Sequence, residues 1–360
     1  MFQESPYYVL QTSEAEQFAE NMEFFAGGAE GSFFGNGLLL LLRNCIIGRL
    51  KENEGGSRAV KQQQLTLMEF QRRFATEEAC VDHLFQLRWP EGYQCPRCGH
   101  SQYCFHSARK LYQCSKCKYQ CSVTAGTIFH KTRTPLVKWF WMIFMMTRQK
   151  SGVSMMSLQR MLGISSYKTV WTMGHKIRKA MAERDAQYQL AGLVEMDDIF
   201  LGPRKPGGPG RGAQGKAKIL VAAESQGDHP GFAVMKHVPA VSSAQILGLS
   251  RDRVAPRTTI RTDGWHAYWA LGSHGFVHEP HVVSKDKEAL KELRWVHLLA
   301  ANLKGNIRGV HHGVSEKHLD RYLAEFSYRF NRRYWDSQLF NRTVFACVST
   351  STVTFAELRA

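Results

Sequence analysis

"GLVEMDDIFLG" (residues 192–202) opens the part of the chain where short β-rich runs replace longer helical patterns. Four more such runs follow: "AKILVAAES" (217–225), "GFAVMKHVP" (231–239), "TTIRTDGWHAY" (258–268) and "FVHEPHVV" (276–283). A helical pattern, "SSAQILGLSRDRV" (242–254), stands between the third run and the fourth. Three strands, a helix, a strand, then a further strand and helices predict a mixed α/β layer. Side chains alternate on a strand, so Glu195 and Asp197 share one face and Asp198 points to the other. Asp263 leaves a later β run just ahead of a glycine turn. One acidic residue at a strand end usually serves as a cap or turn former. Two of them leaving β runs in a basic protein suggest convergence on a divalent cation, for which carboxylates are hard oxygen ligands.

The helical stretches flank this layer. In "WVHLLAANLKGNIRG" (295–309), Val296, Leu299, Leu303 and Ile307 recur at the spacing of a buried helical face. His297, Ala301, Lys304 and Arg308 form a second stripe one step round the cylinder, which in isolation reads as a core histidine and a snorkelling lysine. "VSEKHLDRYLAEFSYRFNRR" (314–333) is strongly amphipathic. Upstream, "LTLMEFQRRFATEEACVDHLFQLRWP" (65–90) gives a helical pattern with a start signal at Thr76, Glu77 and Glu78, and Met68 stands ahead of it as a sensible alternative start. Helical segments are predicted at 135–148 and 152–181. The second breaks at "LGISS", a helix–turn–helix pattern whose turn contains Gly163. Its basic second helix, with Lys168, Lys176, Arg178 and Lys179, is read as DNA-binding.

Cys95-x-x-Cys98 and Cys114-x-x-Cys117 enclose 15 residues. Each pair places two thiolates on one side of a knuckle, and two knuckles complete a closed, structural zinc site. Cys121, His100, Cys104 and His106 lie nearby and read as core or surface. The ribbon gathers Arg97, Arg109, Lys110, Lys116 and Lys118 with Tyr103, Tyr112 and Tyr119, a surface suited to a phosphate backbone.

Composition agrees. The 360 residues carry a net charge of +16, but residues 1–66 run at −3, so the remainder holds +19 and points to a polyanionic partner. That extension has little periodicity and reads as mostly disordered. "GLLLLLRNCIIG" (37–48), interrupted by Arg43, falls well short of the roughly 20 apolar residues of a membrane span. Nine bunched cysteines suit a metal site in a reducing compartment, so a soluble, cytosolic, nucleic-acid-binding protein with no membrane partner is expected. "GPRKPGGPGRGAQGKAK" (202–218) has five basic residues and no acidic one; Arg204, Lys205, Arg211 and Lys216 make it a candidate DNA-gripping loop.

The order and wording of these motifs resemble the 1595 family of bacterial insertion-sequence transposases, the zinc-ribbon, ISXO-type group. The resemblance covers roughly Met68 to Phe345, through the 65–90 stretch and its ribbon, "SVTAGTIFHKTRTPL", "IRKAM", "VEMDD", "TDGW" and the run "LKGNIRGVHHGVSEKHLDRYLAEFSYRFNRR". It implies an RNase H-like catalytic domain over 190–345, preceded by a helix and zinc ribbon (67–130) and a helix–turn–helix-like segment (131–186), with a tail at 346–360. The family's first catalytic aspartate falls on Asp197 and the second on Asp263. The third position, Glu in the wider class but Asn or His in branches of this family, falls on His297, and the lysine seven residues later on Lys304. Asp198 stands where Glu is common, and Cys121 where an aromatic is common. The implied cofactors are structural Zn²⁺ and catalytic Mg²⁺ or Mn²⁺, held by Asp197, Asp263 and His297. The implied partners are double-stranded DNA, as terminal inverted repeats and as target, and further copies of the chain in a homodimer or higher oligomer on DNA. The expected activity is DNA cleavage and strand transfer; the rivals are a non-catalytic zinc-ribbon DNA binder and an RNase H-like nuclease.

Overall fold

Two threonines begin the described chain, which covers residues 65–202, 215–281 and 292–359 of a computed structural model. The acidic extension up to residue 64 lies outside it. Thr66 accepts from the Glu69 N–H and starts α1 (Leu67–Arg73), and Thr76 accepts from the Ala79 N–H and starts α2 (Glu77–Arg88). The 65–90 stretch is therefore two helices. Leu65 is buried as well, so a chain begun at Met68 would lack both an anchor and a cap. Next come three short antiparallel strands, β1 (Tyr103–His106), β2 (Leu111–Cys114) and β3 (Gln120–Cys121). They lead into α3 (Leu136–Arg148), α4 (Met155–Met161) and α5 (Tyr167–Asp185). Gly163, at φ +56°, makes the turn before α5 in the left-handed region that glycine adopts without strain.

The expected α/β layer follows. A five-stranded sheet contains β4 (Leu193–Leu201), β5 (Ala217–Gln226), β6 (His229–Val238), β7 (Thr259–Thr262) and β8 (Val277–Pro280), in the order β6-β5-β4-β7-β8. The first three are antiparallel, whereas β7 runs parallel to β4 and β8 parallel to β7. Helix α6 (Ser243–Arg253) and the 3₁₀ segment His266–His274 cover one face; α7 (Arg294–Asn306) and α8 (Glu316–Asn331) cover the other. The period of two sorts β4 between them. Val194 and Met196 pack with Ile246, Leu249 and Tyr268, while Ile199 joins Val296, Leu299, Leu303 and Leu319. A five-residue π turn, Ile307–His311, ends α7.

The segment expected as a tail is structured. Helix α9 (Asp336–Ser349) returns to the N-terminal helices, where Phe340 meets Phe70, Phe74 and Phe140 at ring-centre distances of 5.2, 5.3 and 5.7 Å. Cys347 is buried there, and its carbonyl accepts from the Ile128 N–H. A final short helix, α10 (Phe355–Arg359), buries Leu358. Among the described residues, no helix is long and apolar enough to cross a membrane.

Candidate active site and metal centre

The ribbon repeats one local construction twice. The Gly99 N–H donates to the Cys95 carbonyl and the Lys118 N–H to the Cys114 carbonyl, with both residues at positive φ. The Cys95 N–H then bonds His100 O, and the Cys114 N–H bonds Tyr119 O. Two matching knuckles result. Their four sulfurs lie within 4.8 Å of one another, with Cys95–Cys117 at 3.5 Å and Cys98–Cys114 at 3.6 Å. A tetrahedron with Zn–S bonds of about 2.3 Å has edges of about 3.8 Å, so the thiols fit zinc. Burial raises the Cys95 thiol, but the amides of Arg97 and Cys98 and the neighbouring thiols overcome it and bring it down, while the same cluster of thiols pushes Cys117 up to about 12. Cys121 stands outside this set, buried and 3.9 Å from the Tyr93 hydroxyl.

The acidic site is assembled from distant pieces. On β4, Glu195 and Asp197 both face α7, as alternation predicts. Glu195 is buried, and its Oε2 accepts from the Trp295 N–H at 2.7 Å and the Val296 N–H at 3.1 Å. Burial holds this carboxyl above its usual range despite those two bonds. The strand thus caps the first turn of the helix that carries His297. Two residues along each element, Asp197 Oδ2 lies 3.8 Å from His297 Nδ1. Asp198 points to the opposite face, where the Tyr268 hydroxyl donates to it at 3.4 Å.

Asp263 arrives from the neighbouring strand. Glu195 and Arg261 are register partners on β4 and β7, so Asp197 and Asp263 both stand two residues further on. The Asp263 carboxylate accepts from the Trp265 N–H at 3.0 Å, and Gly264, at φ +78°, supplies the turn between them. The His297 imidazole is lowered below its usual value, first by burial, then by the charge of Lys304, with the charge of Asp263 opposing. Asp197, Asp263 and Lys304 therefore all act on one imidazole, whose side chain is 43 % exposed. A satisfied core histidine would be neither so open nor so placed. Among the described residues, however, only the four cysteines form a set of three or more metal-ligating side chains with all ligand atoms within 4.8 Å of one another. The acidic cluster is wider. Its donors, carboxylate oxygens and an imidazole nitrogen, suit a hard or borderline divalent cation.

Several candidate DNA contacts fall elsewhere. Arg178 is fully buried, and its Nε donates to Glu325 at 2.7 Å; the expectation that it grips DNA is corrected, because a guanidinium closed inside the fold cannot reach a phosphate. Lys176 is half-buried and donates to the Ile128 carbonyl, so it too is turned inward. Lys168 is exposed, with its ammonium 4.1 Å from the Phe355 ring centre. Lys216 is half-buried at the base of the basic loop, while Arg204, Lys205 and Arg211 lie outside the described residues. The sequence reading gave Glu195 no role. Its position on the face of Asp197 was the available signal.

A closed four-cysteine ribbon and an acidic site opposite an imidazole define a transposase with a DDE-type domain, and the comparisons agree. Residues 189–331 match the ISXO2-like transposase domain, and residues 75–120 match the transposase zinc-ribbon domain. Both matched stretches are transposase domains, and the chain is a transposase. An uncharacterized protein in transposable element ISH50 of Halobacterium salinarum is 25% identical over 281 residues, spanning 72% of this chain and 92% of that protein. Among solved structures, the Mos1 transposase paired-end complex with left transposon end is 15% identical, covering 54% of this chain and 74% of that one at a TM-score of 0.24. A pre-cleavage Mos1 transpososome is 13% identical, covering 56% and 76% at 0.21.

Proposed function

We propose that Asp197, Asp263 and His297 form the catalytic site of an RNase H-like transposase domain, and that Lys304 contacts a DNA phosphate or base beside the cleaved bond. The observation that carries this reading is the approach of Asp197 to His297 at 3.8 Å, with the charges of Asp263 and Lys304 acting on the same ring. The order β6-β5-β4-β7-β8, with Asp197 on the central strand, supports the RNase H-like assignment. In the overall reaction, water frees a 3′-hydroxyl at the element end and that hydroxyl attacks target DNA. A bound Mg²⁺ or Mn²⁺ would activate the attacking hydroxyl and stabilise the leaving oxygen. Asp197 and Asp263 would hold it through carboxylate oxygens. His297, kept neutral by burial and by Lys304, has a lone pair to offer directly or through water.

The zinc ribbon, with Tyr103, Phe105 and Tyr119 exposed among its lysines and arginines, and the open start of α5 at Tyr167 and Lys168 would hold the terminal repeats. The working form would be a homodimer or higher oligomer on DNA at the nucleoid. The test is cleavage of a labelled terminal-repeat duplex with each metal. Asp197→Asn should lose on the order of 10²-fold or more, and His297→Ala much of the activity, both with end binding retained. His297→Glu should shift preference toward Mg²⁺. If His297→Ala cleaves like the wild type with both metals, His297 is no part of the site. A wild type that binds ends but cleaves with neither metal is the decayed binder.

A further inference from the structure

The outer flank of α7 borders a groove of about 1210 Å³ that the catalytic reading leaves unused. Ala301 belongs to the His297 stripe, and from it the line Ala301, Gly305, Gly309 runs along the groove. A Cβ added at Gly305 or Gly309 would meet open space, so the helix backbone itself is accessible here. The opposite wall comes from the ends of α3 and α8 and the start of α9. The volume exceeds the roughly 300–1,000 Å³ of typical small-molecule pockets, which suits a segment of polymer.

The lining shows which polymer. Tyr334 is 65% exposed and Leu298 44% exposed. The Arg333 guanidinium carbon lies 4.1 Å from the Phe330 ring centre and 4.3 Å from that of Tyr334, which makes a stacked aromatic–cation platform. Arg333 is fixed by the carbonyls of Pro230 and Gly231. Arg329 is fixed by those of Gln149 and Lys150, at 2.6 and 3.0 Å. Lys150 is exposed at the rim. Arg148 is paired with Asp336, and Arg329, whose side chain is 9% exposed, lies 3.8 Å from Glu325, so Arg333 and Lys150 carry the positive charge that the groove presents. Fixed cations suit phosphates. Exposed rings suit bases, but only bases not already stacked in a duplex.

We propose that this groove binds unpaired DNA, the nucleotides of the strand passing the active site, with bases on the Tyr334–Arg333–Phe330 platform and phosphates toward Lys150 at the rim. The proposal rests on the transposase reading and adds a single-strand site to it.

The test uses the full chain with its zinc. Fluorescence anisotropy would give Kd for a labelled oligothymidylate and for a duplex of arbitrary sequence, at one fixed salt concentration. Tyr334→Ala removes the stacking ring. Gly305→Leu fills the groove, and Ala301→Leu is the second filler, used if Gly305→Leu lowers the melting temperature. Each should weaken oligothymidylate binding about tenfold, the size of one stacking contact, and leave duplex binding unchanged. Unchanged oligothymidylate binding in Tyr334→Ala and the filler overturns the proposal, as does an equal loss on both probes. A wild type that binds duplex but not oligothymidylate overturns it and leaves the transposase reading intact. A wild type that binds neither probe removes the DNA reading itself.

Discussion

The ribbon and the acidic site both gather side chains of metal-ligating type, yet they are built in opposite ways. The ribbon takes its four ligands from 23 consecutive residues, and each knuckle is closed by hydrogen bonds within its own few residues. The acidic site draws on residues from 197 to 304, on two strands and a helix, and only the packed sheet brings them together. A locally built site depends on its ligands. A tertiary site depends equally on residues that never touch the chemistry.

The largest effect should come from breaking the local site. Cys114→Ser should abolish stoichiometric zinc and unfold the ribbon, since structural zinc contributes on the order of 10 kcal/mol to small domains. Elemental analysis and a thermal melt would show it. Full zinc content in the mutant would mean that Cys121 or another neighbour substitutes.

The tertiary site is better probed through its scaffold. Glu195→Ala leaves the first N–H groups of α7 without their acceptor, and bonds to a charged group contribute about 1.5–3 kcal/mol each. Melting temperature and terminal-repeat cleavage should both drop while zinc content stays full. Glu195→Gln, which keeps an acceptor oxygen, should recover most of both. Wild-type cleavage in Glu195→Ala would mean that the apolar face of α7 positions His297 unaided.

Acid should separate the two regions less sharply. Burial pushes His83, among the N-terminal aromatics, down to about 4, His311 in the π turn to about 4, and His175 on α5 to about 2. The unfolded chain protonates these rings near 6.5 and the folded chain does not. Their contribution is therefore complete above about pH 6.5 and is lost as pH falls toward 4. Melting temperature should decline across that window, and less steeply in His175→Phe. A flat profile would mean that the rings are charged in the fold.

The smallest effect concerns the N-terminal boundary. A chain begun at Leu65 should bind terminal repeats like the full protein. One begun at Met68 loses the Thr66 cap and the buried Leu65, a cost of about 1 kcal/mol from the cap alone. Denaturant midpoints of the two would settle this. Equal midpoints would show that α1 needs neither.

The sequence disclosed most where the physics is local or periodic. The knuckle spacing, the strand runs and the parity that separates Asp198 from Glu195 and Asp197 were all legible. So was the buried stripe of α7. The burial of Arg178 was not, because a basic residue on a helix looks solvated until its partner is known, and Glu325 lies 147 residues away. Nor could periodicity show that the last helix serves the first core: Phe340 carries no mark of meeting Phe70.

That return has a consequence for synthesis. The aromatic core begun at Phe70 waits for Phe340 and Cys347, nearly 200 residues beyond the end of α3. At about 5–20 residues per second, the ribosome leaves that core incomplete for roughly 10–40 s. A message cut short before codon 340 would therefore yield a chain whose N-terminal half cannot finish its own interior. Such a fragment should be cleared by proteolysis, and would not persist as a competitor for the ends of the element.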